Sequence, residues 1–275
     1  MNNKSTVLSI VFWLCATVAC FSGNDNYPLG ARSVGLATAS VALTDIWAGV
    51  NNQAALGYLE KPVAAWYYEN RLNVKELALH AGAFAIPVKS TVLGVNTRYF
   101  GYSKYNEFKF GLAVAKRLGD KFAMGVQMNY FQTYFADDYG NVGALCGEIG
   151  LMYEPVEHLK VGAHLFNVTQ TKQKASLDGR LPTIMRFGAS YAINEKAIIS
   201  IETEKDLRME AVFKAGLEYS PIDNLFLRCG MSNANINQYA FGVGYVWKQF
   251  AIDIAFSHHK FFGYSPHVSL IANLR

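Results

Sequence analysis

Two groups of residues have the types that could do chemistry. One is the vicinal pair His258-His259, and the other is the charged run Glu202, Glu204, Lys205, Asp206 and Arg208. Two histidines chelate one metal only if both rings reach the same side, and neighbours on a strand point to opposite faces. A pair near a strand end therefore reads as polar rim, with metal binding the lesser alternative. The charged run falls on a predicted hairpin, where a solvated rim is expected before a catalytic acid pair. His80 and His164 stand alone within predicted strands and read as polar lining. The chain contains no Gly-x-Ser-x-Gly, no His-Glu-x-x-His, no phosphate-binding glycine loop and no Cys-x-x-Cys. The expectation is no catalytic residue, no cofactor and no metal: a protein that is not an enzyme.

The remaining polar residues with a clear pattern lie between Glu107 and Tyr134. Phe108, Phe110, Leu112 and Val114 alternate with Glu107, Lys109, Gly111, Ala113 and Ala115. After Gly119-Asp120-Lys121, the residues Phe122, Met124, Val126, Met128 and Tyr130 alternate with Ala123, Gly125, Gln127, Asn129 and Phe131. A period of two places each set on its own face of a strand. One face is bulky and apolar, the other small and polar. A soluble sandwich alternates too, so length decides. These runs are about a dozen residues, against about 5–6 in soluble proteins and roughly 9–11 for a tilted membrane-spanning strand. Lipid-facing bulk and a polar lumen follow. The expected lumen lining is Glu107, Lys109, Gln127, Asn129, Phe131, Glu148, Phe166 and Arg186, with Glu218 also inward. Its charges could form cross-strand pairs. The inward aromatics Phe131 and Phe166 are the best ligand contacts. Trp66, Tyr67, Tyr99, Tyr134, Tyr245 and Trp247 suit interfacial girdles.

The whole chain agrees with this. Only 17% of its 275 residues are charged while 14% are aromatic, against about 25% charged in soluble proteins. The net charge of +4 is scattered, which gives no reason to expect nucleic acid as a partner. Lys4 followed by the apolar stretch from Val7 to Ala19 reads as an export signal, residues 1–22, too short to span as a helix. Cys20 after Thr17-Val18-Ala19 loosely resembles a lipidation box; a discarded signal cysteine is the default. Cys146 and Cys229 remain, read as packed thiols with a disulfide the lesser alternative. Residues 23–275 are expected to form one domain.

Residues 27–60 read differently from the rest. Gly30 to Ser40 is dense in small residues, and Thr44 or Asp45 could cap a short helix beginning at Ile46. Here the sequence resembles the FadL-like outer-membrane barrels, in particular their PorV/PorQ branch. The matching residues are Gly30-Ala31-Arg32, Asp45, then Asn52-Gln53-Ala54-Ala55-Leu56. Gln53 stands where the family usually has proline and Ala55 where it has glycine. Similar strand patterns recur at Gly162 to Val168, Leu181 to Tyr191, Gly216 to Tyr219 and Leu227 to Gly230.

Counted independently, strands are expected at about 62–71, 76–87, 90–102, 106–117, 121–135, 142–154 and 159–169, then 182–193, 197–206, 210–220, 224–232, 238–248, 250–258 and 265–274. That is fourteen, the number the resemblance also implies, and even, as single-chain bacterial barrels are. A barrel this wide encloses space, and residues 27–60 are the candidate plug, with Gly30, Arg32, Asp45 and Asn52 as its marked positions. The fold expected is an all-β transmembrane antiparallel barrel, with the plug at residues 27–60 and the barrel at 61–275. The resemblance implies a location in the outer membrane of a Gram-negative bacterium, with membrane lipid and a hydrophobic small molecule as partners. The first reading is binding or passage of hydrophobic small molecules; the second is an accessory role in type IX secretion, with secretion-machinery proteins as partners. A soluble periplasmic β-protein is the third.

Overall fold

The computed structural model describes residues 26–71, 74–136, 140–172, 181–234, 238–259 and 263–274. The expected export signal, with Cys20, lies outside these. The chain begins with two short helices, α1 (Ala31–Gly35) and α2 (Ala48–Asn51), and a 3-10 segment, Gln53–Tyr58. Fourteen strands follow: β1 (Val63–Asn70), β2 (Ala78–Val88), β3 (Thr91–Tyr102), β4 (Tyr105–Leu118), β5 (Phe122–Phe135), β6 (Gly140–Val156) and β7 (Leu159–Phe166), then β8 (Ile184–Asn194), β9 (Ala197–Asp206), β10 (Val212–Ile222), β11 (Leu225–Ser232), β12 (Gln238–Trp247), β13 (Phe250–His259) and β14 (Gly263–Asn273).

Each strand pairs with its sequence neighbours, and β1 pairs with β14 to close a barrel. Closure removes every sheet edge. The expected strands agree with these to within a few residues, because the alternation that marks them is continuous from turn to turn. The turns at 89–90, 119–121, 157–158, 195–196, 223–224 and 248–249 lie on one rim. Lys89, His158, Asn224 and Lys248 take positive φ there, between 56° and 69°, as tight hairpins require. The longer connections lie on the other rim.

Bulk and polarity are distributed inside out. Met128, Phe187 and Leu145 are 64%, 63% and 58% exposed on the outer face, while Ala113, Ala123, Asn129 and Glu148 are buried inside. A sandwich would bury the bulky set between two layers, and no such layer exists here. Two outward and inward expectations need correction. Tyr67 points inward, packs against Trp47 with ring centroids 5.7 Å apart, and its hydroxyl lies 2.7 Å from His267 Nδ1. His80 points outward, its ring tilted against those of Trp66 and Tyr68. Each follows the parity of its own strand, which the isolated residue type does not reveal. Cys146 is a buried thiol and Cys229 an exposed one, and they form no bridge.

Residues 26–60 occupy the inside of the barrel. Gly125 on β5 faces them so closely that a Cβ there would stand 2.5 Å from the Gln53 carbonyl carbon. α1 packs against β12 and β13, and the 3-10 segment against β4, β5 and β6. The expected helix at Ile46 begins instead at Ala48, because the Asp45 side chain accepts the Trp47 N–H at 2.9 Å and holds a turn there first. α1 was not expected: its small residues carry no apolar period.

β6 outruns its neighbour. It pairs with β5 from Gly140, but with β7 only from Glu148. Beyond that point the chain leaving β7 takes over: the Val168 N–H donates to the Gly147 carbonyl at 3.0 Å, and the Thr171 hydroxyl to the Leu145 carbonyl at 2.6 Å.

Candidate functional site

Five consecutive strands, β4 to β8, turn polar and aromatic side chains toward one region of the lumen. Glu148 on β6 is its centre. One carboxylate oxygen accepts from Lys109 Nζ at 2.9 Å and from Asn129 Nδ2 at 2.6 Å. The other meets Gln53 Nε2 at 2.5 Å and His164 Nε2 at 3.0 Å. Four partners match the capacity of a carboxylate. The network continues from Asn129 to Gln127 at 2.7 Å and from Gln127 to Asn96 at 2.8 Å. Asn96 then donates to the Gly49 carbonyl of α2 at 3.1 Å.

Phe131 and Phe166 meet edge to face above this layer, their centroids 6.0 Å apart. Lys109 Nζ lies 5.4 Å from each ring, within cation–π range. Ala144, Cys146, Leu181 and Ile184 complete a buried apolar cluster around the rings. Lys109 also donates to Asn26 Oδ1 at 3.1 Å, and Arg186 donates to the Asn26 carbonyl. Asn26 Nδ2, His164 Nδ1 and Arg186 Nη1 are buried without a hydrogen-bond partner among the described residues.

Of the eight expected lining residues, seven are therefore linked: Lys109, Gln127, Asn129, Phe131, Glu148, Phe166 and Arg186. Glu107 also faces inward, taking a hydrogen bond from Tyr105 at 2.5 Å with Arg98 3.8 Å away.

Arg186 opens a second network. It bonds Glu204 across the β8–β9 pair at 2.7 Å, and Lys214 bridges Glu204 at 2.8 Å and Glu202 at 2.9 Å. The free oxygen of Glu202 accepts the backbone N–H groups of Ser40 and Val41, both at 2.8 Å. The expected solvated rim is thus wrong for Glu202 and Glu204. They share strand parity with the lumen residues of β9, and burial is affordable because cations and amides saturate them.

The marked positions of residues 27–60 make a third. Arg32 grips Glu218 with two hydrogen bonds, 2.9 and 2.7 Å, and reaches Asp45 at 3.4 Å. Glu218 pairs across to Arg228 at 2.6 Å, and Arg228 to Asp253 at 2.5 Å. Burial pushes the Asp45 carboxyl above its ordinary value, and Arg32 pulls it the other way. Gly30 has φ 99°, and its Cα side is covered by the Trp47 ring. Asn52 donates to the carbonyls of Val41 and Leu151 at 2.7 and 3.0 Å and accepts the Ala54 N–H at 3.2 Å.

His164, expected as polar lining, does face inward; Asn26, Asn96, Glu202, Glu204, Lys214, Arg228 and Asp253 are not among the expected site residues. Inward parity marks those on strands; only chain tracing finds Asn26. Among the described residues no cluster of three His, Cys, Asp or Glu could hold a metal ion.

No family model matches the sequence, and no curated protein does. Solved structures do match in shape. CymD, a monoaromatic hydrocarbon channel, superposes with a TM-score of 0.74 at 12% identity, covering 92% of this chain and 99% of that one. The Pseudomonas putida toluene transporter TodX gives 0.71 at 12% identity, covering 91% and 100%. A Pseudomonas aeruginosa FadL homologue gives 0.64 at 10%, covering 90% and 98%. At such identities the likeness is one of fold, and the fold this chain shares with them is the FadL-like barrel.

Proposed function

We propose that this chain is an outer-membrane barrel that binds hydrophobic small molecules in its lumen and passes them across the membrane, and that it carries no enzymatic activity. The observation that carries the reading is the buried Phe131–Phe166 pair, set in an apolar cluster directly above the Glu148 network that ties the wall to residues 26–60. Apolar side chains with a few convergent polar groups are the usual lining of a small-molecule site. The similar structures described as toluene and monoaromatic hydrocarbon channels support the same class of solute. The outward belt of large side chains supports the membrane location, since patches of that extent are not left in water.

The PorV/PorQ branch is proposed from Gly30-Ala31-Arg32, Asp45 and Asn52 alone. These residues act as retainers in this fold: Arg32 on Glu218, Asn52 on Leu151. The residue range 27–60 is proposed as the plug that such a solute must pass or displace.

The test is uptake of a radiolabelled aromatic hydrocarbon by cells lacking the gene, complemented with wild type, Phe131→Ala or Phe166→Ala. Loss of uptake on deletion, restored by wild type and not by the variants, is expected. Normal uptake with failed export of secreted proteins would replace transport with the type IX accessory role.

A further inference from the structure

The outer face carries a depression of about 530 Å³ across β8 to β11, on the opposite side of the wall from the Arg186–Glu204–Lys214 network. Its walls are Phe187, Ile201, Phe213 and Met231, all more than half exposed. Its floor is made of small side chains set in register between them. Thr203 lies opposite both Phe187 and Phe213, and Ala215 lies opposite both Ile201 and Met231. A furrow therefore runs obliquely across β9 and β10, from Thr203 to Ala215, where the bulky belt is interrupted. It is several times the roughly 150 Å³ that accommodates a benzene.

The end of the furrow nearer the longer connections is polar and cationic. Asn233 lines it, and its side chain accepts the Phe213 N–H at 2.6 Å. Lys205 follows Thr203 on the same face two residues along β9. Its ammonium donates only to the Met209 carbonyl among the hydrogen bonds described, so the charge has no carboxylate partner there. An apolar slot inside the belt, capped at the membrane surface by a cation, has the polarity of one lipid molecule laid along the wall.

We infer that this furrow binds a phosphate-bearing lipid of the leaflet at the rim of longer connections, with one acyl chain between Phe187 and Phe213 and its phosphate at Lys205. The inference rests on the reading of the belt as lipid-facing. The phosphate supplies the charge that Lys205 lacks, and the chain fills surface that bulk lipid would wet only transiently.

Native mass spectrometry of the detergent-purified full chain, incubated with equal amounts of a phosphorylated and a zwitterionic lipid of the same acyl length, tests it. Wild type is expected to retain one phosphorylated lipid in preference. Ala215→Phe fills the furrow from the outer face and is expected to abolish retention. Lys205→Ala should lower retention of the phosphorylated lipid about fivefold, the value of one lysine near an anionic surface, and leave the zwitterionic one unchanged. Equal retention by either variant, or no preference in wild type, overturns the proposal. Heat-modifiable gel mobility establishes that each variant is folded. Release of the wild type from membranes by carbonate would instead overturn the membrane reading beneath it.

Discussion

Glu148 is the residue on which the lumen depends. Its two oxygens hold Lys109, Asn129, His164 and Gln53, which come from β4, β5, β7 and the 3-10 segment. Both Lys109 and Glu148 are buried, with side-chain exposures of 2% and 0%, so neither charge has water to fall back on. Removing one partner strands the other. Glu148→Ala is expected to cost about 3–5 kcal/mol in urea unfolding from vesicles. The double variant Lys109→Met/Glu148→Met should recover part of that, because no uncompensated charge remains. An unchanged midpoint in Glu148→Ala would mean that the network is wet and the lumen open there. Phe131 makes a separate claim. Its ring contributes to the apolar cluster and a cation–π contact with Lys109 but to none of the hydrogen bonds, so Phe131→Ala should weaken binding of an aromatic hydrocarbon by about 1.5–3 kcal/mol of lost apolar contact while leaving the hydrogen bonds of Glu148 in place. Fluorescence titration in detergent measures it.

At the scale of elements, three wall carboxylates hold the inner segment at three points: Glu148 takes Gln53, Glu202 takes the amides of Ser40 and Val41, and Glu218 takes Arg32. Close approach does the rest. Gly125 lets β5 touch the Gln53 backbone. Gly125→Val places methyl groups where that backbone now lies, and overpacking of this kind costs about 1–3 kcal/mol. The expected result is a barrel that still resists heat on a gel while its inner segment becomes open to limited proteolysis; a segment as protected as in wild type would show that it does not seat against β5. How far the sequence discloses these elements depends on periodicity. The strands were legible because a bulky residue recurs at every second position from Phe108 to Tyr130, and the lumen side of β4 to β6 was legible for the same reason. Glu202 and Glu204 obey that rule too, but their neighbours Lys205, Asp206 and Arg208 disguise it as a solvated run. α2 was legible only through its cap at Asp45, and α1 has no period to read: its residues are small because the barrel wall surrounds them, so its conformation is set by contacts hundreds of positions apart, such as the Ala31 N–H on the Ser269 hydroxyl at 2.8 Å.

For the whole molecule, the question is which solvent the outer face meets. A closed barrel has no edge to protect, so its exposed bulk cannot be ascribed to a partner strand, and the face is apolar around the full circumference from Trp66 to Leu270. Met128 is the sharpest probe. It sits mid-strand on β5, 64% exposed, between the buried Gln127 and Asn129. In water, arginine at such a position would change stability within about 0.5 kcal/mol, as surface substitutions do. In a bilayer the same guanidinium enters hydrocarbon near the midplane, at a cost of about 2–4 kcal/mol. Met128→Arg, unfolded by denaturant from lipid vesicles, should therefore lose stability in the second range. Moving the arginine to Tyr134, near the strand end, should shrink the loss to about 0–1 kcal/mol, since the penalty falls with depth. A flat profile along β5 would place the belt in water or against protein, whereas a graded one places it in lipid, because only a membrane makes the cost of a charge depend on height along the strand.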